Sequence, residues 1–154
     1  MDLYAFEQKT VASAAVGDLV FADEHWRLKV EIPNDGKYLL NLTGELNSPL
    51  WKVDDNASDI CVGLAKDFQW FPHGDVTTGK QVVPRHLSIA ITEIGPIIAA
   101  VFQGNYLFFS TAGSKTVASK RGTLSFINWS IHVRDTRDLR SWQLVQIGPP
   151  AAEG

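Results

Sequence analysis

Residues 26–43 read as two apolar alternating segments joined by a tight turn. In the first segment, residues 26–32, an apolar side chain occupies every second position, which is the period of a strand with one buried face. Residues 33–36 read Pro-Asn-Asp-Gly, in which proline presets φ and glycine accepts a positive φ. The alternation starts again at Tyr38. This feature predicts a β-hairpin at the centre of a sheet.

The same signals recur along the whole chain, and no segment of ten or more residues keeps a helical period. More than ten short strands are too many for one open sheet. We therefore expect an all-β fold, a two-sheet antiparallel sandwich with at most one short helical turn, at residues 135–140. The predicted loops are 54–59, 69–79 and 111–120. The predicted strands are 3–8, 11–15, 19–22, 26–32, 37–43, 51–53, 60–65, 81–83, 86–92, 97–103, 106–111, 122–134 and 142–147.

Size and composition limit the class of protein. The 154 residues suffice for one core, so we expect a single domain over residues 1–147 and an irregular C-terminal tail over residues 148–154. No apolar run approaches the roughly 18 residues that cross a membrane. The N-terminal sequence lacks the basic and apolar regions of a secretory signal. We expect a protein made in the cytoplasm, with no transmembrane segment and no membrane partner.

Charge and cysteine content narrow the partners and cofactors. A formal net charge of −3 gives no basic field for nucleic acid, so none is expected as a partner. Cys61 is the only cysteine, which excludes an intramolecular disulfide and a multi-cysteine zinc site. Its apolar neighbours predict a buried, poorly nucleophilic thiol. The histidines show no metal-binding spacing, and no phosphate-binding or dinucleotide motif is present, so we expect no metal and no cofactor.

The central turn carries a resemblance. Ile-Pro-Asn-Asp-Gly-Lys-Tyr at residues 32–38 resembles the P-x-x-G-x-Y turn of jelly-roll β-sandwiches. Complement-type globular heads and tumour-necrosis-factor-like domains have later strands similar to residues 59–67 and 122–129, and that resemblance implies a jelly-roll-like homotrimer. Carbohydrate-binding jelly rolls share the turn, and they imply a glycan held by surface aromatics. The match covers residues 20–133, whereas 134–147 has no place in the first pattern.

Loop aromatics and a basic concentration provide the candidate contacts. Aromatic side chains beside polar loops form sugar platforms or protein hot spots, although the same residues also cap the open ends of sandwiches. The basic side chains near residue 137 would contact an acidic partner or form a solvated face, and Trp142 would anchor the last strand. The candidate ligand or partner contacts are Trp51, Trp70, Phe71, His73, Arg134, Arg137, Arg140 and Trp142.

Three functions remain open at this stage. A small acidic sandwich without a catalytic motif fits a non-enzymatic structural or recognition module that self-assembles, as a trimer, with other proteins of a virion surface or fibre. A carbohydrate-binding module is the second, and it requires Trp51, Trp70 and Phe71 to be exposed together. A small barrel enzyme is the third, and it requires His73, Asp75 and His86 to converge in one pocket.

Overall fold

The computed structural model describes residues 3–43, 49–56, 58–75, 85–116 and 124–148. Their architecture is all-β with antiparallel sheets, as predicted. The helical element among them is a 3₁₀ turn at Leu3–Ala5. The strands are β1 Phe6–Thr10, β2 Leu19–Ala22, β3 His25–Ile32, β4 Gly36–Asn41, β5 Leu50–Lys52, β6 Ile60–Leu64, β7 Phe68–His73, β8 Ile89–Thr92, β9 Gly95–Phe102, β10 Asn105–Ser110, β11 Lys115–Thr116, β12 Leu124–Phe126, β13 Trp129–Asp135 and β14 Ser141–Ile147.

The strands form a sandwich of two large sheets and one small sheet. The first has the order β1-β6-β2-β3-β4-β5, the second β11-β10-β9-β8-β12 and the third β14-β13-β7. One apolar core draws side chains from all three, including Leu28 of the first, Ile98 of the second and Ile131 of the third, each fully buried. The two large sheets therefore share one interior, to which the three-stranded sheet also contributes.

The central hairpin is confirmed. β3 and β4 pair with Val30 opposite Tyr38, and both are interior strands of the first sheet. Asn34 and Gly36 in the turn have φ of 65° and 126°, which is the left-handed region that Asn and Gly tolerate. The second predicted hairpin, β9 to β10, is confirmed as well.

Several local predictions were wrong. Residues 11–15 form a turn rather than a strand, because their carbonyls bond to Lys29 from another part of the chain. The loop predicted at 69–79 is strand β7 as far as His73. The strand predicted at 122–134 is divided into β12 and β13. The strand predicted at 81–83 and the tail from residue 149 lie outside the described residues.

The helical turn predicted at residues 135–140 is instead the turn between β13 and β14. Leu139 N donates to Asp135 O at 2.9 Å, and Asp135 N donates to Arg140 O at 2.8 Å. Leu139 has a φ of 64°, which a right-handed helix does not contain. The charged residues of this segment therefore form the turn of a β-hairpin and not a helical turn.

β6 follows the prediction in part. It is an interior strand between β1 and β2, as its continuous apolar sequence suggested. Cys61 is buried, with 2% of its surface exposed, but Ile60 on the opposite face is 64% exposed. Burial raises the pKa of the Cys61 thiol. Because the thiolate is the nucleophile, this agrees with the predicted poor nucleophilicity.

The chain contains one five-stranded unit twice. The strand order β5-β4-β3-β2-β6 in the first sheet corresponds to β11-β10-β9-β8-β12 in the second. The registers agree too, since the pair Leu19 and Leu28 in the first unit corresponds to Ile89 and Ile98 in the second. The first strand of one unit, β2, and the first strand of the other, β8, begin at equivalent positions.

The turn that precedes each unit is also repeated. Gly17 N donates to Lys29 O at 2.8 Å, and the equivalent Leu87 N donates to Ala99 O at 2.7 Å. Gly17 and Leu87 both have positive φ, 96° and 61°. The two copies thus share backbone geometry at a position where one has glycine and the other has leucine.

After each unit, the chain continues into a strand of the third sheet that contains a Trp-x-x-His segment. The segments are residues 70–73 in β7 and residues 129–132 in β13. Trp70 Nε1 donates to Gly17 O at 3.0 Å, and Trp129 Nε1 donates to Leu87 O at 2.8 Å. Each indole therefore fastens the third sheet to the repeated turn of its own unit. The two segments occupy equivalent places in the two copies.

These two segments meet at an approximate two-fold axis. β7 and β13 run antiparallel, and Pro72 pairs with Ile131 at the midpoint between the two Trp-x-x-His segments. An axis passing between Pro72 and Ile131 therefore exchanges one segment with the other. His73 and His132 are equivalent residues on either side of it.

Candidate functional site

The outer side of the third sheet brings together residues from both units. Successive strand residues point to opposite sides. Ile131 and Val133 are fully buried on the core side of β13, so the alternate positions point away from the core. We call this outer surface the third-sheet face. It consists of Phe71, His73, Ser130, His132 and Arg134.

Two histidines lie at the centre of the third-sheet face. The rings of His73 and His132 are stacked, with centroids 4.5 Å apart and planes 28° apart. His132 Nε2 lies 3.1 Å from Ser130 Oγ, and Ser130 Oγ donates to the carbonyl of His73 at 3.4 Å. Desolvation, and secondly the charge on His73, lower the pKa of His132. At neutral pH the face therefore presents a neutral imidazole at its centre.

An aromatic ring and a cation flank the histidines. The Arg134 guanidinium carbon lies 5.2 Å from the centre of the Phe71 ring, within the range of a cation–π contact. The same Phe71 ring lies 5.5 Å from the His132 ring. Arg134 is exposed and Phe71 is half-buried. The three predicted contacts Phe71, His73 and Arg134 are thus neighbours on one surface.

Two predicted aromatic contacts have structural positions instead. Trp70 is half-buried against the main core, and its indole N–H is bonded to a backbone carbonyl. Trp142 packs edge-on against Phe68, with ring centres 6.0 Å apart, and so anchors β14 to its own chain. Neighbouring strand residues Trp70 and Phe71 face opposite sides of β7. The common platform expected for Trp51, Trp70 and Phe71 is therefore not formed.

The basic cluster is divided. Arg137 holds the carboxylate of Asp135 through its backbone N–H and through Nε and Nη2, at 2.9 to 3.0 Å. Arg140 lies 3.7 Å from the same carboxylate, and its Nε donates to Asp138 at 2.6 Å. Bonds from Arg137 lower the pKa of Asp135, whose side chain is 1% exposed. Arg134 is separate from this pair, since its guanidinium lies over the Phe71 ring.

Trp51 lies at a cleft on the outer side of the first sheet. The ring is 46% exposed, and the Arg27 guanidinium carbon is 4.4 Å from its centre. Arg27 itself is only 2% exposed. The cleft has a volume of about 430 Å³. Its polar lining consists of Asp23, Arg27, Lys52, Asp54 and Asp59.

A larger groove of about 700 Å³ lies between the first and third sheets, beside Trp70. Three of its charged groups pair with one another. Lys9 Nζ lies 3.5 Å from a Glu7 carboxylate oxygen and 3.8 Å from one of Asp18, and Asp18 also accepts a hydrogen bond from Ala15 N at 2.8 Å. Lys9, Glu7 and Asp18 therefore have a structural role in the groove.

The residues expected of an enzyme have different surroundings. His73 stacks on His132, whereas His86 Nδ1 accepts a hydrogen bond from Val101 N in the second sheet at 2.9 Å. Desolvation lowers the pKa of His86. Neither of the two clefts above is lined by His73, Asp75 or His86. Over the described ranges, no group of three or more His, Cys, Asp or Glu side chains is placed to hold a metal ion.

Two residues of these surfaces were missed from the sequence. His132 was not among the predicted contacts, although the repeated Trp-x-x-His pattern was the available signal. Arg27 was not among them either. Comparisons with protein families, curated proteins and solved structures found no match. Within the described part of the chain, no helix is long and apolar enough to span a membrane.

Proposed function

We propose that this protein is a non-enzymatic recognition module that binds protein partners, among them copies of itself, through the third-sheet face. The observation that carries the proposal is the grouping of His73, His132, Phe71 and Arg134 on one side of a sheet. Aromatic and arginine side chains are enriched at protein interfaces and supply most of their energetic hot spots. Strands hold these side chains in place, so little order has to be gained on binding.

The polar groups on this face support binding rather than catalysis. Ser130 is 5% exposed, and its hydroxyl donates to the His73 carbonyl. A nucleophilic serine must also reach a substrate, and Ser130, although its Oγ lies 3.1 Å from His132 Nε2, is almost fully buried. His132 contacts Phe71 and His73, which leaves its ring in an aromatic stack. The cluster therefore fits a contact surface.

The form of the assembly is a further part of this proposal. β7 and β14 are the two edge strands of the third sheet, and edge strands pair readily with another chain. A jelly-roll-like homotrimer is what the resemblance of residues 32–38 implies, and a virion surface or fibre is our own hypothesis for its setting. We retain both as proposals, because the strand order gives two similar meanders and leaves the jelly-roll relationship untested.

Light scattering at micromolar concentration tests self-association. The wild-type protein should have a mass that is a multiple of 17.0 kDa, three times that value for the trimer. Arg134→Glu should shift it to the monomer, because it replaces the cation on the face with a repulsive charge. Lys66→Glu is the matched control on an exposed turn and should leave the mass unchanged. A wild-type protein that is strictly monomeric would reject self-association.

A further inference from the structure

Arg27 is a buried cation whose hydrogen-bonding capacity is only partly used. It is 2% exposed, and its nearest ion pair is a long one, 3.9 Å from Nη1 to a carboxylate oxygen of Asp23. Its Nε–H is buried and donates to no acceptor in the described part of the chain. An incompletely paired buried guanidinium costs stability. The buried Nε–H is therefore a donor that a bound group could use.

The second copy of the unit shows that the fold does not need this arginine. The register places Ile97 at the position equivalent to Arg27, and Thr116 at the position equivalent to Trp51. Ile97 is 2% exposed, so an apolar side chain fills the equivalent site without difficulty. Arg27 and Trp51 are therefore a specialisation of the first sheet.

The cleft around this pair offers three kinds of contact. The exposed part of the Trp51 ring provides a flat apolar surface. The carboxylates of Asp23, Asp54 and Asp59 accept hydrogen bonds, and the Arg27 guanidinium can donate one. A sugar ring carries a matching set, since its C–H face stacks on indole and its hydroxyls both donate and accept. The Lys52 ammonium is directed to Asp35, so three carboxylates against one cation disfavour an acidic ligand.

We propose that the cleft lined by Arg27 and Trp51 binds a neutral saccharide. The indole would hold one face of the ring, and the carboxylates on the rim would accept its hydroxyl protons. The site is separate from the third-sheet face, because it lies on the outer side of the first sheet. The saccharide proposal therefore stands or falls independently of the assembly.

An array of neutral and acidic glycans, probed with the labelled full-length protein, tests the proposal. Neutral glycans should be retained, and the best of them should then be titrated by calorimetry. Trp51→Thr and Arg27→Ile introduce the residues of the second copy, and each should weaken binding at least about tenfold. Tyr106→Ala is the matched control, since Tyr106 is also 46% exposed but lies on β10. It should bind like the wild type.

The variants also separate lost binding from lost folding. Arg27→Ile should unfold at the same urea concentration as the wild type or at a higher one, because it removes a poorly paired buried charge. Trp51→Phe keeps a ring and should retain part of the affinity. Retention of no neutral glycan, retention of acidic glycans alone, or wild-type affinity in folded Trp51→Thr would each overturn the proposal.

Discussion

His73 and His132 are equivalent residues of the two Trp-x-x-His segments, and their rings stack on each other with centroids 4.5 Å apart. The contact follows from the two-fold arrangement, because residues near such an axis meet their own counterparts. It also means that two titratable groups of the same type share one small volume. Desolvation, and secondly a charge on the neighbouring ring, oppose protonation of His132.

Stability should therefore fall as the solution is acidified through the histidine range. The pKa of His132 in the folded protein is below its ordinary value of 6.5. As the pH falls from that value, the unfolded chain takes up the proton first, so the free energy of unfolding decreases until the folded pKa is reached. Urea unfolding between about pH 8 and about pH 5 measures this.

His132→Gln should reduce the slope of this pH dependence. It should not remove it, because the pKa of the buried His86 is lowered as well and contributes with the same sign. His25→Gln serves as the control, since it removes a histidine at the start of β3, away from both of these residues. Equal slopes for wild type and His132→Gln would contradict the proposed coupling of the two rings.

Lys29→Met should destabilise the protein by about 2–4 kcal/mol. The Lys29 side chain is fully buried, and its Nζ donates to the carbonyls of Val11, Ala12 and Ala14 at 2.7 to 3.1 Å. Methionine fills the same space but leaves those carbonyls without their donor. Urea unfolding measures the loss, with Lys66→Met as the control. A loss no larger than that of the control would show that the carbonyls find other donors.

Asp135→Asn should destabilise the protein at neutral pH and have less effect in acid. The folded pKa of Asp135 lies below its ordinary value of 3.8 because of the bonds from Arg137. The stability that this carboxylate contributes is thus complete above about pH 5 and is lost as the pH falls through the folded pKa. Unfolding curves at neutral and acidic pH for both proteins give the comparison. A gap independent of pH would exclude the ionic contribution.

Trp129→Phe should cost more stability than Trp70→Phe, although each removes one indole–carbonyl hydrogen bond. Trp129 is 1% exposed, so the Leu87 carbonyl has no water to replace the lost donor, and we expect a loss of about 1–3 kcal/mol. Trp70 is half-buried, and the Gly17 carbonyl should regain part of the energy from solvent. Chemical denaturation of the two variants side by side checks the order.

Local sequence patterns predicted much of the sheet structure. The turn at residues 33–36 and the alternation around it specify a hairpin by themselves, so that β3 and β4 were predicted correctly. Residues 11–15 were mistaken for a strand because the group that bonds their carbonyls, Lys29, is distant in sequence. The duplication of the five-stranded unit is hard to see in the sequence. Equivalent positions such as Arg27 and Ile97 differ in chemistry, and it is the backbone pairing that shows them to be equivalent.

Several residues of the candidate site could be predicted from the sequence, but their grouping on one surface could not. Phe71, His73 and Arg134 were selected as exposed contacts, but what makes them neighbours is the pairing of β7 with β13. No local pattern gives that pairing. Arg27 was not selected, since a charged residue in an alternating strand is usually solvent-facing. Its burial depends on β5 and on the ring of Trp51.

The presence of both units on one chain has a consequence for valency. In a symmetric dimer of single units, every substitution would occur twice, and a cleft on one subunit would always have a twin. Here Arg27 and Trp51 differ from their counterparts Ile97 and Thr116, so the described residues of each chain contain this cleft once and not twice. If the cleft binds a saccharide as proposed, an assembly of these chains would have one such site per subunit, and its valency would equal the subunit number.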